Sequence, residues 1–123
     1  MKHQSFSIRA RIKSFRFAGQ GISAFLRSEH NAWIHAVAAI GVVILAVVTG
    51  LSKHEWLALV LVIALVWITE MINTCIERMM DYMTTERKPE VKFIKDVAAG
   101  AVLVAAIAAL MTGCLLFIPK LWP

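Results

Sequence analysis

Four polar side chains that can move protons or hold cations recur at helical spacing near the middle of the chain: Glu70, Asn73, Glu77 and Asp81. At about 100° per residue, they fall within an arc of roughly 80° on one helix face. A carboxylate beside a hydroxyl can act as a general base, and carboxylates together with phosphates hold Mg²⁺. The spacing therefore predicts a site in which a base and a cation lie next to each other.

Glu70 lies within an apolar run that extends from Trp56 to Ile76. A carboxylate in the hydrocarbon region costs about 2.5–3.5 kcal/mol on insertion scales, so it rarely persists without a use. One use is structural, as a hydrogen-bonded packing group between helices. Because three more polar groups share its helix face, we favour a general base that acts on a poorly acidic alcohol.

Other polar residues are expected at the same level of the membrane. Glu29 precedes the first apolar run, and Lys95 opens the third, where a lysine and free backbone N–H groups can reach phosphate oxygens. The alternatives without a functional role are that Glu29 and Asp81 lie at solvated helix ends and that Lys95 is a basic residue flanking a span. The segment from Glu86 to Asp96 is expected to be a charged loop that can fold over a nucleotide.

His35 lies about one turn inside the first apolar run, and Asn31 lies one turn before it. This position suits contact with a lipid headgroup, although a satisfied interfacial histidine is the alternative. The sequence has no GxxxxGK[ST] phosphate loop and no protein-kinase motifs, so phosphoryl transfer would need a site built from membrane helices.

Three apolar runs must position these residues, at 33–51, 56–76 and 97–118. Each has about 20 residues, enough to cross roughly 30 Å of hydrocarbon as a helix, and three strands could not close a barrel. The chain is 59% hydrophobic, well above the roughly 45–50% of soluble domains. We therefore predict a single all-α membrane domain over residues 1–123. Cys75 and Cys114 lie in different runs and are predicted to be buried and unpaired.

Residues 6–27 precede the spans and alternate apolar and basic residues at spacings of three and four, which predicts an amphipathic helix on the membrane surface. A soluble helix packed on a core is the alternative. Basic residues cluster before the first span and between the second and third, including Lys2, Arg16 and Arg87. The positive-inside rule then places the N-terminus in the cytoplasm and the C-terminus outside, in a bacterial inner membrane. No nucleic-acid partner is expected.

The third run repeats small residues every four positions, at Ala101, Ala105, Ala109 and Gly113. This pattern allows close approach of helices in lipid, unless the helix is simply rich in alanine.

The stripe from Glu70 to Asp81, EMINTCIERMMD, resembles the signature E-x-x-N-[ST]-x-x-E-x-x-x-D of the small prokaryotic diacylglycerol kinase family, which includes the undecaprenol kinases. The resemblance extends to Glu29, to Lys95-Asp96 and to the AAGAVL segment at 98–103, and it covers nearly the whole chain. It implies a homotrimeric lipid kinase with three spans and an N-terminal surface helix. ATP would be the co-substrate and Mg²⁺ the cofactor.

The resemblance also implies roles for individual residues. Glu70 would be the catalytic base, Asn73 would support the reacting groups, and Glu29 and Glu77 would hold Mg²⁺. The residues implied in nucleotide binding are Phe17, Glu29, Glu77, Asp81, Glu86, Lys88, Lys95 and Asp96. Those implied in contact with the lipid substrate are Glu70, Asn31, His35 and Ala99.

The acceptor is suggested by details of the N-terminal half. Glu29, Asn31 and His35 resemble the E-x-N-x-x-x-H pattern of the undecaprenol kinase branch. Ala10 and Phe17 stand where the enteric diacylglycerol kinase branch has an arginine and a tyrosine. We therefore expect conversion of undecaprenol to undecaprenyl phosphate. The alternatives are conversion of diacylglycerol to phosphatidic acid and, in another class, a non-enzymatic channel or assembly subunit whose polar stripe lines a water path.

Overall fold

The computed structural model describes residues 5–123, and within that range the chain folds into four α-helices. They are α1 (Ile8–Ser28), α2 (His30–Thr49), α3 (Lys53–Met83) and α4 (Pro89–Leu121). The predicted basic flank at Lys2 lies outside the described residues. The chain divides after Ile34 into two compact units. The first contains α1 and the start of α2, and the second contains the rest of α2 with α3 and α4.

In the first unit, α1 begins where a capping residue is available. The side chain of Ser7 accepts a hydrogen bond from the Ala10 N–H at 3.3 Å, which satisfies one of the free donors of the first turn. The apolar side chains of Ile8, Ile12 and Phe15 are exposed. A helix is therefore confirmed close to the predicted range 6–27, and its location on a membrane surface stays a prediction.

The helices α2, α3 and α4 are each long and apolar enough to cross a membrane. A short turn joins α2 to α3, and Gly50 adopts a φ of 74°, a left-handed conformation that glycine accepts without strain. Ser52 then caps α3 in a reciprocal arrangement with Glu55. Because the turn is short, α3 runs antiparallel to α2. We refer to the side of the second unit where α2 ends at Thr49 and α3 begins at Lys53 as the α2–α3 end.

The opposite side, where α3 ends and α4 begins, is the α3–α4 end. The apolar runs predicted at 56–76 and 97–118 lie inside longer helices, because α3 continues to Met83 and α4 starts at Pro89. The expected loop from Glu86 to Asp96 is therefore mostly helical. Proline suits the first turn of a helix, where its missing N–H has no partner to lose. The two helices are about 46 Å and 50 Å long, so both extend beyond a hydrocarbon layer of ~30 Å.

A buried hydrophobic cluster of the second unit lies towards the α2–α3 end. Ala46, Leu59 and Phe117 form a buried cluster contributed by α2, α3 and α4. At the same end the Lys120 ammonium lies 3.2 Å from a Glu55 carboxylate oxygen and joins α4 to the start of α3.

Much of the apolar surface of these helices faces outward, as expected for contact with lipid or with another chain. Cys75 and Cys114 are both free, but both are exposed. The prediction that they are buried was therefore wrong, because three helices leave most of their circumference uncovered.

Candidate active site

Glu70 is the buried carboxylate on which the site is centred. Only 8% of its surface is accessible, and its Oε1 lies 2.8 Å from Nε2 of His35 on α2. The α2–α3 turn explains this contact. His35 and Glu70 each lie roughly four to five helical turns from it, on antiparallel helices. A buried carboxylate needs a polar partner, and His35 provides one. The pairing was not predicted from the sequence, and contact of His35 with a lipid headgroup stays a prediction.

Asn73 and Glu77 follow on the same face of α3. The Asn73 amide donates to Glu77 Oε1 at 3.3 Å. Its carbonyl oxygen Oδ1 is buried and has no hydrogen-bond partner among the described residues. A buried acceptor without a partner costs about 1–3 kcal/mol, so this oxygen is suited to a donor or a cation from a ligand. The stripe predicted from spacing thus presents an amide oxygen and a carboxylate next to each other.

These are hard oxygen donors of the kind that Mg²⁺ prefers. Residues 5–123 contain no group of three or more histidine, cysteine, aspartate or glutamate side chains placed to hold a metal ion. A magnesium ion at Glu77 would therefore complete its shell with phosphate oxygens and water, which is its usual mode of binding in nucleotide sites.

A second polar region lies at the α3–α4 end and encloses a cavity of about 820 Å³. Five of the residues predicted to bind the nucleotide line it: Asp81, Glu86, Lys88, Lys95 and Asp96. The α3–α4 connection brings them together because α4 turns back alongside the last turns of α3. The structure therefore gathers into one concave surface residues that the sequence placed on two helices and a loop.

Ion pairs organise this cavity. Lys95 on α4 donates to Asp81 on α3 at 2.5 Å, Lys92 pairs with Asp96, and Lys88 lies 3.5 Å from Glu86. Arg87 and Lys92 also line the cavity. Both lie in the charged segment that was expected to fold over a nucleotide, although neither was named among the nucleotide-binding residues. For Lys92 the signal was its spacing from Lys95 and Asp96, which puts the three residues on one face of α4.

An apolar groove of about 510 Å³ runs along α2, α3 and α4 towards the α2–α3 end. His35 lines it, so the imidazole borders both the groove and the Glu70 carboxylate. Small residues form part of its wall, including Ala109 and Gly113 of the predicted small-residue pattern, whereas Ala105 is buried in the protein. The groove was not predicted, because the small residues were interpreted as a helix-packing surface.

The remaining predicted site residues lie elsewhere. Phe17 is exposed on α1, Glu29 is half-buried between α1 and α2, and Asn31 is exposed near the start of α2. All three belong to the first unit. Ala99 is exposed on α4 and lines neither the apolar groove nor the polar cavity. Their roles in binding nucleotide, metal or lipid stay predictions.

Comparison with known proteins identifies the family. The family model described as prokaryotic diacylglycerol kinase matches residues 16–117. The undecaprenol kinase of Bacillus subtilis (strain 168) is 42% identical over 110 residues, which cover 89% of this chain and 89% of that protein. The diacylglycerol kinase of Synechocystis sp. is 38% identical over 111 residues, which cover 89% of this chain and 63% of that longer protein.

The match includes the whole stripe from Glu70 to Asp81 and all the residues that line the polar cavity. It decides against a non-enzymatic channel or assembly subunit, and a kinase of this family takes its phosphoryl group from ATP. The chain belongs to the prokaryotic diacylglycerol kinase family and is a lipid kinase.

Proposed function

We propose that this lipid kinase transfers the γ-phosphoryl group of Mg-ATP to undecaprenol. The similarity to an undecaprenol kinase over 89% of both chains supports this acceptor, as does the pattern formed by Glu29, Asn31 and His35. The observation that carries the mechanism is the buried Glu70 carboxylate, held at 2.8 Å by His35 and followed on its own helix by Asn73 and Glu77.

The reaction begins at Glu70. Its carboxylate accepts the proton of the lipid hydroxyl while the hydroxyl oxygen forms a bond to the γ-phosphorus, and the bond from phosphorus to the β–γ bridging oxygen breaks to release ADP. The carbonyl oxygen of Asn73, which has no hydrogen-bond partner within residues 5–123, is available to orient a donor on the reacting groups. Glu77 would hold the Mg²⁺ that accompanies the nucleotide, the family resemblance assigns Glu29 to the same ion, and the bound ion would offset the phosphate charge.

The nucleotide occupies the polar cavity at the α3–α4 end. Lys95 contacts phosphate oxygens, and Asp81 holds the Lys95 ammonium in place through their hydrogen bond. Asp81 and Glu70 are about 16 Å apart along α3, with Glu77 between them. A nucleotide that extends along this helix therefore points its phosphates from the cavity towards the base, which is the direction that transfer requires.

The hydrocarbon tail of the acceptor occupies the apolar groove. The groove is continuous with the site, because His35 lines the groove and also contacts Glu70. A lipid alcohol seated in this way has its hydroxyl next to the carboxylate and its tail among apolar side chains.

The enzyme works as a homotrimer in the bacterial inner membrane, with the α3–α4 end in the cytoplasm. Basic residues concentrated at that end support this orientation. The many exposed apolar side chains of a single chain leave surface for neighbouring protomers.

The test uses purified protein in lipid vesicles that contain undecaprenol or diacylglycerol, with radiolabelled ATP and Mg²⁺. We expect labelled undecaprenyl phosphate to form faster than labelled phosphatidic acid. Faster labelling of diacylglycerol would overturn undecaprenol as the acceptor and would agree with the name of the Synechocystis relative, a diacylglycerol kinase. If neither lipid were labelled, the proposed function would be wrong.

A further inference from the structure

The contact between His35 and Glu70 carries an inference that rests on the proposed role of Glu70 as the base. We infer that His35 is a positioning residue that fixes the orientation of the Glu70 carboxylate. In this role His35 leaves one carboxylate oxygen free for the lipid hydroxyl and contributes no proton transfer of its own.

Hydrogen-bond chemistry assigns the donor in this contact. An ionised carboxylate can only accept hydrogen bonds, and Glu70 must be ionised before it can take a proton. The nitrogen 2.8 Å from Oε1 therefore carries a hydrogen and donates it. Because this bond engages Oε1, Oε2 is the oxygen that takes the proton of the acceptor.

The contact also limits the side-chain freedom of Glu70. A glutamate has several rotatable bonds, and a base is effective only when it is held within hydrogen-bonding reach of its proton. The bond to α2 restricts the carboxylate of α3 to one arrangement. Glu70 is 8% exposed and the side chain of His35 is 25% exposed, so water competes little for this bond.

His35 also links the apolar groove to the base. The imidazole of His35 is one of the groove-lining groups, while its Nε2 is committed to Glu70. The same side chain thus places the base at the point where the groove reaches the polar stripe. A histidine that served only as a lipid contact would not need its ring nitrogen directed at the carboxylate.

The experiment compares two amides that differ in reach. In H35Q the terminal amide nitrogen can occupy about the place of Nε2 and donate to Glu70, whereas the shorter side chain of H35N cannot extend that far. We expect H35N to lower kcat between about tenfold and a hundredfold, the loss expected for a hydrogen bond to a charged group. H35Q should recover kcat to within about threefold of the wild type, and the KM for ATP should not change in either variant.

The matched control is H54N, since His54 is an exposed histidine at the α2–α3 end and should tolerate the change without loss of kcat. Both amides at position 35 are polar and similar in size, so insertion and assembly, checked by size-exclusion chromatography in detergent, should be alike. Wild-type kcat in H35N would overturn the inference, as would a kcat for H35Q no higher than that of H35N. A raised KM for the lipid with unchanged kcat would show that His35 is a lipid contact instead.

The wild-type protein and E70A separate these failures from those of the proposed function. If the wild type labelled no lipid, the proposed kinase function of the site would be wrong. If E70A were fully active, the assignment of Glu70 as the base would be wrong. Neither result depends on position 35.

Discussion

The Lys95 ammonium donates a hydrogen bond to the Asp81 carboxylate, and this contact joins the first turns of α4 to the last turns of α3. The Lys95 side chain is 35% exposed and that of Asp81 is 69% exposed, so the pair lies at the edge of the polar cavity and is accessible to a solute. A phosphate can therefore approach the lysine without breaking the packing of the two helices.

Replacement of Lys95 by alanine should raise the KM for ATP by about tenfold to a hundredfold, because a charge-assisted hydrogen bond to phosphate is lost. Replacement of Asp81 by asparagine should have a smaller effect, since it leaves the ammonium in the cavity and only loosens its position. Steady-state kinetics with saturating lipid measure both. K53A, at the opposite end of α3, is the matched control and should not change the KM. An unchanged KM in K95A would mean that the nucleotide does not use this cavity.

Replacement of Glu70 by glutamine preserves size and an oxygen that can accept the hydrogen bond from His35, but it removes the base. We expect kcat to fall by about 10²-fold to 10⁴-fold with little change in the dissociation constant for ATP. Single-turnover labelling and equilibrium nucleotide binding separate the two quantities. E90Q, an exposed glutamate of α4 outside the polar cavity, controls for the amide substitution. If E70Q kept more than a tenth of the wild-type kcat, another group would have to be the base.

The parts of the site that the sequence predicted are those set by helical periodicity. Glu70, Asn73 and Glu77 share a face because residues three, four and seven apart do so in any α-helix. The hydrogen bond between Asn73 and Glu77 is of this local kind. The bond between His35 and Glu70 joins residues on different helices, and the sequence does not specify which faces meet across a turn.

The helices extend beyond the predicted apolar runs for a physical reason. Hydropathy marks where side chains leave hydrocarbon, whereas a helix ends where its backbone loses capping and hydrogen bonds. Asp81 and Lys95 both lie outside the apolar runs, yet both are helical. The polar cavity exists because of these extensions, so it could not be predicted from the span boundaries.

The ion pair at the α2–α3 end should contribute to stability and not to catalysis. Lys120 Nζ lies 3.2 Å and 3.3 Å from the two carboxylate oxygens of Glu55, and the same carboxylate caps α3 through the N–H of Ser52. E55Q removes the charge and preserves an oxygen for the cap, whereas E55A removes both. We expect Tm in detergent to fall by about 2 °C in E55Q and further in E55A.

Because half-exposed ion pairs are screened by salt, the difference between the wild type and E55Q should shrink at 1 M NaCl, while the additional loss in E55A should persist. K120M should match E55Q, and the double variant should lose no more than either single one. If the losses of Tm in the two single variants added up in the double variant, the two side chains would not interact in the detergent-solubilised protein.

The apolar groove predicts how a substitution far from the polar residues affects the acceptor. Gly113 lines the groove, and a Cβ placed there would meet no other atom within 4 Å, so a leucine can extend into the groove without displacing the backbone. We expect G113L to raise the KM for undecaprenol several-fold, because its side chain competes with the lipid tail for about the volume of four methyl(ene) groups. The KM for ATP should stay the same. Kinetics in vesicles with varied lipid content measure both constants.

G41L is the matched control, since Gly41 is also a helical glycine with open space at its Cβ but does not line the groove. A parallel assay with short-chain prenols adds a second comparison. A prenol whose tail does not reach Gly113 should be phosphorylated equally well by G113L and the wild type. Equal effects of G41L and G113L on long-chain and short-chain acceptors would show that the tail lies elsewhere. A loss of trimer in G113L alone would instead assign the groove to a neighbouring helix.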